Sequence, residues 1–192
     1  MKDFRNNMTT ASAGNGQEGP LDKFFYSQLR DMYYAEQQAQ KLLLEMKEAA
    51  TTEELEDALA DHYELTRRHI NRLEKVFSII GRDPMPKTCV AMDGLMRECR
   101  RIVNETRKGS MTRDAALIIA MQKIEHYEIA TYGGLVELAL TMGKKRAAEL
   151  LDKTLEEEER TDRLLTDIAE RFVNIEAEEE PTVESKTPVL TA

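Results

Sequence analysis

The stretch Leu117–Met142, LIIAMQKIEHYEIATYGGLVELALTM, decides how the chain folds. Alternating steps of four and three, the spacing of one face of a packed helix, pick out Leu117, Met121, Ile124, Glu128, Thr131, Leu135, Leu138 and Met142. That seam is apolar at both ends and acidic in the middle. Three further long segments repeat the pattern. A segment from about Asp22 to Ala50 gives Phe25, Leu29, Met32, Glu36, Ala39, Leu43 and Met46. The next, closed by Gly81, gives Leu55, Leu59, His62, Thr66, His69, Leu73, Val76 and Ile80. The last, from about Lys145 to Phe172, gives Leu151, Leu155, Glu158, Asp162, Leu165, Ala169 and Phe172.

Local punctuation supports four rods. Pro20 precedes the first, and Thr51 followed by Glu54 forms a capping-box pattern before the second. Gly81, Pro84 and Pro86 end the second, and Gly143 is placed to cap the third, about Thr112 to Met142, in the left-handed conformation. The first and second rods, and the third and fourth, are joined tightly, whereas roughly thirty residues separate the second from the third. This crossover carries a shorter amphipathic helix, about Val90 to Lys108, with Met92, Leu95, Cys99 and Ile102 on one side. The expected fold is therefore all-α: a ferritin-like antiparallel four-helix bundle with a long crossover bearing a short fifth helix. Residues 1–20 read as a disordered, Gly-rich leader, 21–172 as the bundle domain, and 173–192 as a disordered acidic tail.

Composition narrows the function classes. The chain has 192 residues and a net charge of −9, with 33% charged and 41% hydrophobic residues. An acidic balance repels nucleic acid, and no apolar run reaches the ~18 residues of a membrane span, so neither partner is expected. Two cysteines, Cys89 and Cys99, are too few for a disulfide scaffold and wrongly spaced for zinc; a reducing, cytoplasmic setting is expected.

Chemistry enters through the middle of the seams. Glu36, Glu128, Glu158 and Asp162 would meet His62 and His69 at mid-height, with Glu125 one turn from Glu128 able to reach the same layer. Burying bare charge is costly, and carboxylates with imidazole suit iron or manganese. Two divalent ions, iron first and manganese second, are the expected cofactors. The alternative is a polar layer of shared protons or water, and a different face chosen for the second rod would turn both histidines outward.

DMYYAEQQ (Asp31–Gln38), DHYELT (Asp61–Thr66), CVAMDGL (Cys89–Leu95), RDAALI (Arg113–Ile118), IEHYEIATYG (Ile124–Gly133) and TLEEEERTD (Thr154–Asp162) closely resemble the bacterial YciF/YciE-like stress proteins. The resemblance spans about Leu21 to Glu170 and implies a rubrerythrin-related bundle, a homodimer, and a two-metal centre. Against the ferritin-like template, Glu36, Glu125-x-x-Glu128 and Glu158 fit. Thr66-x-x-His69 stands where Glu-x-x-His is expected, and Thr161 or Asp162 where a histidine should stand. The resemblance therefore leaves two readings: a di-metal protein oxidising Fe(II) with oxygen or peroxide, or a non-enzymatic helical homodimer with a vestigial site.

Secondary expectations complete the reading. His126 points to the surface, Glu64 pairs with Arg67 or Arg68, and Tyr33, Tyr127 and Tyr132 flank the acidic layer. Of Glu156 to Glu159 only Glu158 faces inward, and Gly133-Gly134 mark close approach by a neighbouring backbone.

Overall fold

A computed structural model of the chain describes residues 18–181. The expected disordered leader lies outside the described residues apart from its last three, and so does the end of the expected tail from residue 182. Helix α1 spans Pro20–Ala49, α2 Glu53–Ile79, α3 Val90–Glu105, α4 Met111–Thr141 and α5 Lys145–Ile168. Helix α5 runs on through one π-helical turn, Ala169–Val173, into α6, Asn174–Glu178. Helix α1, at 30 residues, is about 45 Å long, so a polar layer at its centre lies some four turns from either end.

Helices α1 and α2 form one antiparallel hairpin and α4 and α5 another; α2 packs on α5, and α3 in the crossover lies over α1 and α4. This is the ferritin-like arrangement, and among the described residues there is no strand. The core comprises interlocked apolar layers above and below mid-height, including Phe25, Leu29, Leu43, Met46, Leu59, Leu73, Leu117 and Leu135. Truncating one such leucine to alanine costs about 2–5 kcal/mol.

Helix ends follow the chemistry of the chain with one change. Gly81 and Gly143 sit at φ 69° and 70°, and the amides of Arg82 and Lys144 turn back to Phe77 and Ala139 at 2.9 and 2.8 Å. That is the left-handed C-cap. The expected Thr51–Glu54 capping box does not form. Thr52 is the cap of α2, and the Asp114 carboxylate of α4 binds the amides of Thr51 and Thr52 and the Thr52 hydroxyl at 2.8–2.9 Å. A long-range carboxylate outcompetes the local one because it takes three donors at once.

Three expectations are corrected. The acidic tail does not begin at residue 173: Val173 is buried, α6 follows, and Glu180 binds the amides of Met111 and Thr112 at the start of α4. An acid at a helix N-terminus is favoured there by unpaired amides and the helix dipole. Gly133 and Gly134 meet no neighbour, since a Cβ on either would touch nothing within 4 Å. The buried face of α5 is Leu151, Thr154, Glu158, Thr161, Leu165 and Ile168, not the traced line through Leu155 and Asp162. Thr154 misled because its hydroxyl is satisfied inside, by Arg72 at 2.6 Å, while Leu155 is only half-buried.

Candidate metal centre

Six polar side chains from four helices meet at mid-height. Glu36 comes from α1, His62 and His69 from α2, Glu125 and Glu128 from α4, and Glu158 from α5; none is more than 3% exposed. On α2, His62, Thr66 and His69 share one stripe because steps of four and three keep a single face inward. Both histidines therefore face the core, resolving the choice of face for that helix. On α4, Glu125 and Glu128 are one turn apart and point into the same layer.

Two clusters share one residue. His62, Glu125, Glu128 and Glu158 offer ligand atoms within 4.8 Å of one another, as do Glu36, His69 and Glu158. The His62 ring lies between two acids, with Nδ1 3.3 Å from Glu125 and Nε2 3.4 Å from Glu158. His69 turns Nδ1 towards Glu158 at 2.8 Å and Glu36 at 3.5 Å. Its Nε2 points away, 2.9 Å from Glu157.

Burial and mutual repulsion govern the electrostatics of the layer. Burial, then the neighbouring Glu158 and Glu128 charges, hold the Glu125 carboxyl well above its usual range. Burial and the Glu36 and Glu158 charges do the same for Glu128. Burial also pushes Glu158 up, yet the two imidazoles, His69 foremost, bring it below the ordinary carboxylate value. Burial disfavours the charged His69 ring, but Glu36, Glu158 and Glu157 outweigh it and raise its pKa to about 12.

The donor set fits two divalent ions. Buried atoms without a hydrogen-bond partner include Glu36 Oε2, His62 Nδ1, His69 Nδ1, Glu128 Oε1 and both oxygens of Glu125 and Glu158. Native interiors leave few such groups, and each needs an explanation. Four carboxylates match the charge of two divalent cations, with neutral imidazoles completing a mixed N/O set of the kind iron and manganese accept. The two positions are unequal: one has four residues around it and the other three. Thr66, whose buried hydroxyl has no partner, stands where the template carries another carboxylate.

Asp162, expected among the ligands, is not part of this layer. It lies on the adjoining face of α5, where it accepts from Gln122 at 3.1 Å and sits 3.3 Å from exposed His126. Thr161 takes the inward position instead. His126 is on the surface as expected, and Glu64 pairs with Arg67 at 2.7 Å. Tyr132 donates to Glu36 at 2.5 Å, whereas Tyr33 bonds Glu74 and Tyr127 bonds Cys89. Glu157, expected to be solvated, instead reaches His69 and Arg72. Sequence reasoning missed it because it treated a run of four acids as one inward residue and three surface ones; the available signal was Arg72, one turn beyond His69 on α2.

Comparison with known proteins places this geometry in a family. Residues 20–178 match the family described as a domain of unknown function, DUF892. Protein YciF of Escherichia coli is 42% identical over 159 residues, covering 82% of this chain and 95% of that protein. The crystal structure of the same E. coli stress protein superposes with a TM-score of 0.75 at 40% identity, over 79% of this chain and 96% of the other. YcfI of Rhodopseudomonas palustris, provisionally described as a structural protein, gives a TM-score of 0.75 at 35% identity, covering 80% and 97%. With the match running from the start of α1 to the end of α6, the chain belongs to the DUF892 family of YciF-like stress proteins.

Proposed function

We propose that this chain is a di-metal carboxylate protein of the stress response, holding two iron or manganese ions at the centre of its bundle and acting on Fe(II) with oxygen or peroxide in the cytoplasm. The observation that carries the reading is the set of partnerless buried carboxylate and imidazole atoms shared by four helices. Glu158 has an oxygen toward each cluster and would bridge the two positions. His62, Glu125 and Glu128 would hold one ion, and Glu36 and His69 the other. Bound there, the pair would supply one-electron redox chemistry. The Tyr132 hydroxyl holds Glu36 in place, and the apolar layers on either side keep bulk water from the acids. The Glu128→Gln/Glu158→Gln double variant, purified without chelators, should retain no metal by elemental analysis. Undiminished metal content would refute the assignment.

A second reading has its own support. Thr66 and Thr161 occupy positions where the template carries a carboxylate and a histidine, and YcfI bears a structural description. On that reading the chain is a non-enzymatic helical homodimer. Open space at Gly134, beside half-exposed Phe24 on α1, leaves room for a second copy, which sedimentation would detect. Aerobic Fe(II) oxidation by the purified protein separates the two readings.

A further inference from the structure

The three-residue cluster is backed by polar groups that belong to neither cluster. His69 presents Nδ1 to Glu36 and Glu158, while its Nε2 is 2.9 Å from Glu157 Oε2. Glu157 is in turn gripped by Arg72, whose Nη1 and Nη2 donate to its two oxygens at 3.0 and 3.2 Å. Arg72 Nη1 also donates to Thr154 Oγ1 at 2.6 Å, and that hydroxyl is buried one turn before Glu157 on α5. The guanidinium and the carboxylate remain 14% and 21% exposed, so the assembly lies at the rim of the core and connects α2 to α5.

A carboxylate with both oxygens committed to Arg72 can only accept from the imidazole. That requires a proton on His69 Nε2, so a cation that displaces one proton from the charged ring displaces the inward one and takes up Nδ1. Such partners fix the tautomer and orientation of a metal-binding ring, and losing them costs about 10–100-fold in metal affinity. Planar, two-pronged Arg–carboxylate pairing adds the orientation that a single contact lacks. The four-residue cluster has no counterpart among the described residues: both nitrogens of His62 face acids of the layer itself.

We infer that Glu157 and Arg72 are positioning residues that lock His69 with Nε2 protonated and Nδ1 directed inward, so that occupancy of the Glu36–His69–Glu158 position is set from outside the ligand layer. This inference rests on the di-metal reading for its consequence but not for its geometry, which exists in the metal-free protein. Adjacent residues on α5 thereby divide the work. Glu158 joins the two positions, and Glu157 regulates only one.

The test uses the full chain and the variants Glu157→Gln, Glu157→Leu and Arg72→Gln. First, the ring nitrogens of His69 are examined by 15N NMR in the metal-free protein at neutral pH. A protonated Nε2, lost or redistributed in Glu157→Leu, supports the lock; an unprotonated, pyridine-type Nε2 in the parent protein overturns it, whether or not metal binds. Second, stripped protein is titrated with Co(II) as probe. Two equivalents should bind, with Glu157→Gln weakening one of them about 10–100-fold, Glu157→Leu at least as much, Arg72→Gln less, and the other equivalent unchanged. Equal weakening of both, or of neither, overturns the inference. Failure of the parent protein to bind Co(II), Mn(II) or Fe(II) would defeat the di-metal reading, while the NMR result would still decide the lock. Retained helical circular dichroism and melting separate positioning from misfolding.

Discussion

Two buried groups of acids in this molecule are treated in opposite ways. At the end of the bundle where α2 and α4 begin, Asp114 is fully buried, and its carboxylate accepts from two backbone amides and a hydroxyl. At mid-height, Glu125 and Glu158 are equally buried and neither oxygen of either has a hydrogen-bond partner. Both sets incur the cost of desolvation. The first recovers it from hydrogen-bond donors; at mid-height the imidazoles of His62 and His69 offset it for Glu158, while Glu125 is left raised by burial and by its acidic neighbours. An acid that serves the fold is surrounded by donors, whereas the mid-height acids converge on one another, and on the di-metal proposal that difference separates a structural carboxylate from a ligand.

The largest expected effect is on the shared ligand. Glu158→Gln should weaken both metal positions by more than the ~100-fold typical of partners one layer out, while leaving the metal-free fold intact. Metal titration with parallel denaturant unfolding measures both. Asp114→Ala should reverse the pattern, lowering unfolding free energy by about 3 kcal/mol through two stranded amides and leaving metal stoichiometry unchanged. If Asp114→Ala lost metal, or Glu158→Gln unfolded the apoprotein, the distinction between the two groups would collapse.

The pH response sharpens the contrast. Glu125 and Glu128 have folded-state values raised above 4.5, so the stability they add is present below 4.5 and is lost as pH rises through their raised values. His69, raised to about 12, acts in the same sense, its contribution fading between 6.5 and about 12. Glu157 runs the other way: hydrogen bonding by His69, opposed by burial and aided by Arg72, lowers it to about 2, so its contribution is lost as pH falls from 4.5 toward 2. The metal-free protein should therefore be most stable near pH 4.5 and lose stability on either side, and metal binding should tighten with pH as it displaces protons. Unfolding curves across pH, with and without Mn(II), check both.

A smaller gain should come from Thr66→Glu, which adds a carboxylate on the inward stripe of α2 between His62 and His69; about tenfold tighter metal binding corresponds to roughly 1.4 kcal/mol. The smallest effect belongs to Asp162→Asn and His126→Gln, which should leave metal content as it is, because that pair sits outside the layer.

How far the chain could be read depended on whether side chains or distant partners set the outcome. Hydrophobic period and loop length sufficed for the bundle and its crossover, because a seam such as Leu29–Met32–Glu36 leaves helix α1 a single inward face. Six ligand candidates converged for the same reason. Asp162 failed because steps of four and three can start in either phase on α5, and a buried, hydrogen-bonded Thr154 resembles a surface residue in sequence. The capping of α2 by Asp114, the clamp of Glu157 by Arg72 and the docking of Glu180 on α4 are invisible locally. Each joins residues 62–85 positions apart, and no periodicity encodes such pairs.

Anomalous diffraction from crystals of the full chain grown with Fe(II) or Mn(II) decides whether the mid-height carboxylates bind divalent cations. Two peaks are expected, about 3.5–4 Å apart, with Glu158 touching both and with Asp162 touching neither. A layer free of anomalous signal, in which Glu125 and Glu128 stay protonated and bonded to their neighbours, would contradict the di-metal proposal.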